Sequence, residues 1–422
     1  MISCKIRIYI SLLVIFILGS RVNASPIYNY TELVHPVIAQ HGMVSSQEEK
    51  ATDIGVQILK NGGNAIDAAI AVAYALTVTL PRAGNLTGGG FMTIYLAKEN
   101  RSFVIDFREK APLKAKRDMF LDESNNVDKE KAQFSILSTG VPGSISGLEY
   151  ARFHYGKKPY KELVKPAYKL AKKGFKVSYD LSDSLKKAAP RLKKDPEAYR
   201  IFYKKNGNFY EAGDHLKQKE LAKTLKQLMT HGPEDFYKGK LAKTLVSFMK
   251  EKNGLITKKD LSIYSPIERE PIIFNYKGYT IHTTPPPSSG GILLAQLLKQ
   301  ASHYPLKSWG PNSAKSIHIV TELLKQSYAD RSKWLGDPDF NNLNILNLTS
   351  DSYLEKRRRS IKLNHVQPSK TIYPGVFSRS IPEHNDTTHI SVVDNDGNAV
   401  SLTTTLNFSY GSRIMIPNTG LL

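Results

Sequence analysis

His384-Asn385-Asp386-Thr387-Thr388-His389-Ile390-Ser391-Val392-Val393-Asp394-Asn395-Asp396-Gly397-Asn398-Ala399-Val400-Ser401-Leu402-Thr403-Thr404-Thr405-Leu406-Asn407 decides how this 422-residue chain is read. Apolar residues alternate with hydroxyl residues on both sides of Asn395-Asp396-Gly397, which predicts a β-hairpin. A three-residue loop with Gly397 left-handed pairs Asp394 with Asn398, Val392 with Val400, Ile390 with Leu402 and Thr387 with Thr405. One face then holds Ile390, Val392, Val400 and Leu402. The other holds Thr387, His389, Ser391, Ser401, Thr403 and Thr405. A two-residue loop would slip the register by one and set polar residues opposite apolar ones, so the pattern selects the longer loop.

In that register Thr405 is a cross-strand neighbour of Thr387 and can orient its hydroxyl. Two readings stay open on the hairpin alone: a threonine nucleophile, or a sheet rich in threonine because threonine suits half-buried strands. His389 shares the face of Thr387, but two residues along a strand is about 6–7 Å, too far for direct proton transfer. A packing or hydrogen-bonding role is expected of it. No Gly-x-Ser-x-Gly elbow or His-Glu-x-x-His run occurs.

Upstream, Ser45-Ser46-Gln47-Glu48-Glu49 predicts a capped helix that ends at Gly62-Gly63. Asn64 caps a second helix, with Asp67 in its first turn. From Ala65 to Leu80 that helix is apolar almost all round, the pattern of a helix buried on every side. The loop Arg82–Gly90 is rich in glycine but follows a helix and precedes a strand, and it has no Gly-Lys-Ser/Thr, so it does not fit a phosphate loop. Close backbone packing and a glycine-lined pocket are its two readings. Strands at Phe91–Leu96 and Ser102–Phe107 form a hairpin and deliver Arg108 to a strand end, as a binding residue or as the partner of Glu109. Lysine-rich helices fill the middle, a hairpin turns at Lys277-Gly278, and helices reach Leu298 and span Ser313–Trp334. The pattern is α+β, without a composition break that demands separate domains.

The formal charge is +21. The lysines are spread over helix faces, and the tight run Lys356-Arg357-Arg358-Arg359 lacks any accompanying nucleic-acid motif, so no nucleic-acid partner is expected. Residues 1–24 read as a signal peptide: Lys5 and Arg7, an apolar core from Ile8 to Leu18, then Val22-Asn23-Ala24. The single cysteine, Cys4, lies inside it, which leaves the remaining chain without a disulfide or thiolate metal site. A periplasmic or secreted protein without stable membrane insertion is expected, with no cofactor and no metal.

Several runs resemble the γ-glutamyltranspeptidase (glutathione hydrolase) family, bacterial type. They are Asn61-Gly62-Gly63-Asn64-Ala65-Ile66-Asp67, Ala83-Gly84-Asn85-Leu86, Asp106-Phe107-Arg108-Glu109-Lys110-Ala111-Pro112, Gly140-Val141-Pro142-Gly143, Pro286-Pro287-Ser288-Ser289-Gly290-Gly291, Tyr328-Ala329-Asp330-Arg331, and Thr387-Thr388-His389 with Ser391-Val392-Val393-Asp394. The resemblance implies an N-terminal-nucleophile hydrolase with a four-layer αββα sandwich. Self-cleavage between Asp386 and Thr387 would give a large subunit, 25–386, and the start of a small one, 387–422. The α-amino group freed on Thr387, with a pKa near 8, would be the general base for its own hydroxyl. The substrates implied are γ-glutamyl amides such as glutathione and glutamine, with water or an amino acid as acceptor. Arg108 would grip the substrate α-carboxylate, Thr405 would support the nucleophile, and Asn407 would sit at the glutamyl amino end.

Family members continue past Leu422 into an Asn-Asn…Asp-Asp-Phe stretch, paired serines and the Gly-Gly amides of the oxyanion hole. The resemblance therefore implies an incomplete second sheet. It also implies that this chain on its own is inactive or nearly so, because oxyanion donors carry orders of magnitude in rate. The alternatives are a related acylase acting on a cephalosporin (β-lactam) side chain or on poly-γ-glutamate, and an inactive truncated homologue.

Overall fold

The structure, a computed structural model, describes residues 37–341, 345–375 and 387–422. The expected signal peptide and Asp386 lie outside them. The chain divides into Met1–Gln40 and a compact unit, His41–Leu422.

A six-stranded antiparallel sheet organises this unit. Its strands are β1 (Gly42–Ser45), β2 (Gly89–Leu96), β3 (Arg101–Asp106), β4 (Ile267–Arg269), β5 (Thr387–Asp394) and β6 (Ala399–Thr405), in spatial order β1-β5-β6-β2-β3-β4. The hairpin β5–β6 is thus central, with β1 on one side and β2 on the other. Its register is the expected one: Val392 faces Val400, Ile390 faces Leu402 and Thr387 faces Thr405. Gly397 closes the turn at φ +81°, and the amides of Asp394 and Gly397 bond to Asn398 and Asp394 carbonyls.

Helices α1 (Glu49–Lys60) and α2 (Ala65–Thr79) cover one face of the sheet, with α2 against β5 and β6. Every residue of α2 is buried, as the all-round apolar pattern requires. Ile390, Val392, Val400 and Leu402 point into this layer and are buried, whereas Thr387, His389, Ser391 and Val393 on the opposite face of β5 are exposed. Beyond α2 lie α3 (Ser144–Tyr155), α4 (Tyr160–Lys173) and α5 (Lys219–His231), followed by the short α6 (Lys258–Ile263). A satellite core is built from α7 (Gly290–Ala301) and α8 (Ala314–Trp334), with α9 (Asp351–Arg358) packed against α7. The only other sheets among the described residues are two-stranded, Phe175–Lys176 with His215–Leu216 and Ile272–Tyr276 with Tyr279–Thr283. The α+β class holds, and among the described residues no second large sheet accompanies the six-stranded one.

One local expectation changes and another holds with an addition. The cap of α1 is Glu48, whose carboxylate accepts from the Ala51 amide, because Ser45 is already committed to β1. The Asn64–Asp67 cap is a full capping box, and Asp67 also takes the amides of Lys157 and Lys158, tying α2 to the segment after α3. No helix among the described residues is long and apolar enough to cross a membrane.

Candidate functional site

Sheet register brings four separated residues to one edge. Thr387 opens β5 opposite Thr405, which pairs in turn with Gly89 of β2. Gly90 exchanges backbone hydrogen bonds with Phe107, so the next residue, Arg108, leaves β3 at the same end. A Cβ on Gly90 would lie 2.1 Å from the Thr403 carbonyl oxygen. Close backbone packing is therefore the reason for glycine there, and it lets the strands register without a gap.

The hydroxyls of Thr387 and Thr405 are 3.3 Å apart. The backbone N–H of Asn407 donates to Thr405 Oγ1 at 2.9 Å, which holds Asn407 in a left-handed conformation, φ +66°. The Asn407 side chain then bridges outward: Oδ1 accepts from Arg108 Nη2 at 3.1 Å and Nδ2 donates to Glu109 Oε1 at 2.8 Å. Glu109 Oε1 also pairs with Arg108 Nη2 at 2.9 Å. Arg108, Glu109 and Asn407 thus close a ring, and Thr405 connects that ring to Thr387. Of the two sequence readings of Arg108, the geometry gives the pairing with Glu109, and it adds a hydrogen bond to Asn407. Its partly exposed guanidinium has no hydrogen-bond or ion-pair partner at Nε or Nη1 among the described residues. Each of those nitrogens can donate singly to a carboxylate oxygen.

Glu109 is the residue that sequence reasoning undervalued. It was legible only as the neighbour of Arg108, yet its second oxygen, Oε2, is buried without a hydrogen-bond partner. A cavity of about 380 Å³ opens beside this ring, with Glu109, Thr405 and Asn407 at its polar end and Ile136, Leu245 and Phe248 among its apolar walls.

His389 takes no part in this line. Its ring nitrogens meet Thr403 Oγ1 at 2.8 Å and Ser401 Oγ at 3.3 Å, the hydrogen-bonding role expected from strand spacing. Desolvation holds its pKa below the ordinary histidine value. Asp386, the other expected cleavage-site residue, lies outside the described residues.

A family model described as Gamma-glutamyltranspeptidase matches residues 51–422. The chain is 45% identical over 391 residues to the glutathione hydrolase proenzyme of Escherichia coli K12, covering 93% of this chain and 67% of that protein. It superposes on the crystal structure of Helicobacter pylori γ-glutamyltranspeptidase with a TM-score of 0.78 at 41% identity, over 81% of this chain and 97% of that one. Acylase ACY 1 proenzyme of Pseudomonas sp. V22 is 36% identical, over 92% of this chain and 69% of that protein. The chain spans about two thirds of the length of these curated relatives.

Proposed function

This chain belongs to the γ-glutamyltranspeptidase family, and from that premise we propose that it is a γ-glutamyltransferase/glutathione hydrolase proenzyme whose nucleophile is Thr387. The carrying observation is the continuous line from Thr387 through Thr405 and Asn407 to Arg108. It sets a hydroxyl at one end and a guanidinium at the other, and the cavity beside it is lined by Thr405 and Asn407 from the middle of that line, and by Glu109.

While the Asp386–Thr387 bond is intact, the nitrogen of Thr387 is an amide and has no basicity. Cleavage turns it into an α-amine with a pKa near 8, within reach of its own hydroxyl. The amine takes the Oγ1 proton as Oγ1 attacks the γ-carbonyl carbon. The C–N bond then breaks, and the proton goes to the leaving amine. The resulting γ-glutamyl ester on Thr387 is resolved by water or by the amino group of an acceptor, which regenerates the hydroxyl. Arg108 binds the α-carboxylate of the γ-glutamyl group and so fixes the distance to the reacting carbonyl. Thr405 orients the nucleophile, and Asn407 faces the glutamyl amino end. Residues 1–24 act as an export signal, 25–386 form the large subunit, and 387–422 begin the small one. The product is periplasmic or secreted.

The 45% identity to a glutathione hydrolase, against 36% to the acylase, favours the glutamyl reading. Denaturing electrophoresis of the purified protein tests it. A split into two pieces that starts the smaller at Thr387 and vanishes in Thr387→Ala is the expected result. A chain that stays intact at all times, or a split indifferent to Thr387, overturns the assignment.

A further inference from the structure

The segment Arg108–Leu113 is held from behind by a stretch about 150 residues away in sequence. Tyr264, directly after α6, donates its hydroxyl to the Arg108 carbonyl oxygen at 2.8 Å. One turn earlier, Asp260 accepts from the Leu113 amide at 2.7 Å while closing the capping box of α6 with Thr257. Both ends of the arginine-bearing segment are therefore fastened to the same short helix.

Tyr264 is itself held rigidly. Its ring stacks on Tyr237 with centroids 5.9 Å apart and planes 14° apart. Buried Tyr237 donates to the Pro142 carbonyl at 3.0 Å and accepts from the Ser146 amide at 3.1 Å, which anchors it at the start of α3. Gly143 completes the fit: a Cβ there would lie 2.1 Å from the Tyr264 hydroxyl and 2.0 Å from the Phe107 carbonyl. The run Gly140-Val141-Pro142-Gly143 thereby acquires a purpose that the site alone does not give it. It leaves a slot for the tyrosine hydroxyl against the backbone of Phe107 and Arg108.

We infer that Tyr264 is a positioning residue for substrate binding, setting the height of Arg108 above the sheet edge through that residue's carbonyl. Burial raises the Tyr264 phenol above the ordinary tyrosine value, so the hydroxyl keeps its proton and remains a donor across the physiological range. The guanidinium reaches Asn407 and Glu109 from a backbone that cannot rotate its peptide plane without breaking this bond. Removing the hydroxyl frees the plane, and Arg108 loses its fixed reach to a carboxylate. The inference rests on the proposed role of Arg108.

The test is calorimetric binding of L-glutamate to the cleaved protein, comparing wild type, Tyr264→Phe, Arg108→Ala and the double variant. Phenylalanine keeps the stack on Tyr237 and removes only the hydroxyl. Tyr264→Phe is expected to weaken Kd about fivefold, the fold-change of one ordinary hydrogen bond. Arg108→Ala is expected to weaken it more, and the double variant is expected to match Arg108→Ala, because Tyr264 acts through the arginine. A lowered melting temperature with unchanged Kd in Tyr264→Phe overturns the inference, as does an effect that adds fully to that of Arg108→Ala. If Arg108→Ala binds L-glutamate as wild type does, or wild type does not bind it, the assigned role of Arg108 fails first and the inference with it.

Discussion

At the scale of single residues, the site is a line of short polar contacts whose members differ in what they can do. Thr405 Oγ1 meets both the Thr387 hydroxyl and the Asn407 amide, so it fixes a hydroxyl and a backbone turn together. Glu109 Oε1 meets Arg108 Nη2 and Asn407 Nδ2, so it orders two side chains that would otherwise rotate. A substrate carboxylate oxygen would reach Arg108 through Nε or Nη1, while Glu109 holds Nη2 and so orders the arginine from its other side. Glu109→Gln is expected to weaken L-glutamate binding about fivefold, after discounting a partly exposed pair for solvent screening. An unchanged Kd by calorimetry would show that Arg108 needs no such partner. His389 makes the opposite kind of prediction. Its pKa is depressed in the folded state, so the fold favours the neutral ring. Stability is then unaffected above the unfolded-state value near 6.5 and falls as pH drops through it, until the folded-state value is passed. Melting curves of wild type and His389→Asn between about pH 7.5 and 5 should diverge on the acid side, the variant losing less. Parallel curves refute the argument.

At the scale of elements, the hairpin is seated by its turn as much as by its apolar face. Asp394 Oδ1 accepts from the amides of Asp396 and Asn398, and Oδ2 accepts from the Ala65 amide at the first position of α2. One carboxylate thus shapes the β5–β6 turn and satisfies an orphan N–H of the buried helix, where the helix dipole favours negative charge. Asp394→Ala leaves that buried donor unpaired and is expected to cost about 2–3 kcal/mol. Denaturant unfolding would measure it, and a loss below about 0.5 kcal/mol would mean that the turn seats itself without the helix. The sequence showed Asp394 as a turn residue and Asn64 as a helix cap. That the turn of one meets the start of the other required the fold, since the two lie more than 300 positions apart.

At the scale of the whole molecule, the region around α7, α8 and α9 shows how adjacent residues of one charge come to differ. Lys356-Arg357-Arg358-Arg359 stands out in the sequence only as a tight basic cluster. Arg359 is exposed and Arg358 partly buried, both paired with Glu355, but the Arg357 side chain is largely buried and pairs with Asp330 of α8 at 3.1 Å. Asp330 also accepts from the Gly375 amide and from Gln296, so three separate segments converge on one carboxylate. Arg357→Ala strands a buried charge and is expected to cost about 3–5 kcal/mol. Arg359→Ala should cost no more than about 0.5 kcal/mol. Equal losses in a chemical-denaturation comparison would contradict this division.

What the sequence determined by itself is local and periodic. Alternation of period two set the β5–β6 register and its faces, because a one-residue slip exposes every apolar side chain. The all-apolar run from Ala65 fixed a fully buried helix, and the ordered motifs pointed to the family. Tertiary structure alone decided which distant groups meet: Arg108 with Asn407, Tyr264 with the Arg108 carbonyl, Asp394 with Ala65, Arg357 with Asp330. Hydrogen bonds and ion pairs act over about 3 Å and leave no periodic trace in the chain. Only strand order and helix packing bring such groups within that range, so the partners of a polar residue cannot be read from its neighbours in sequence.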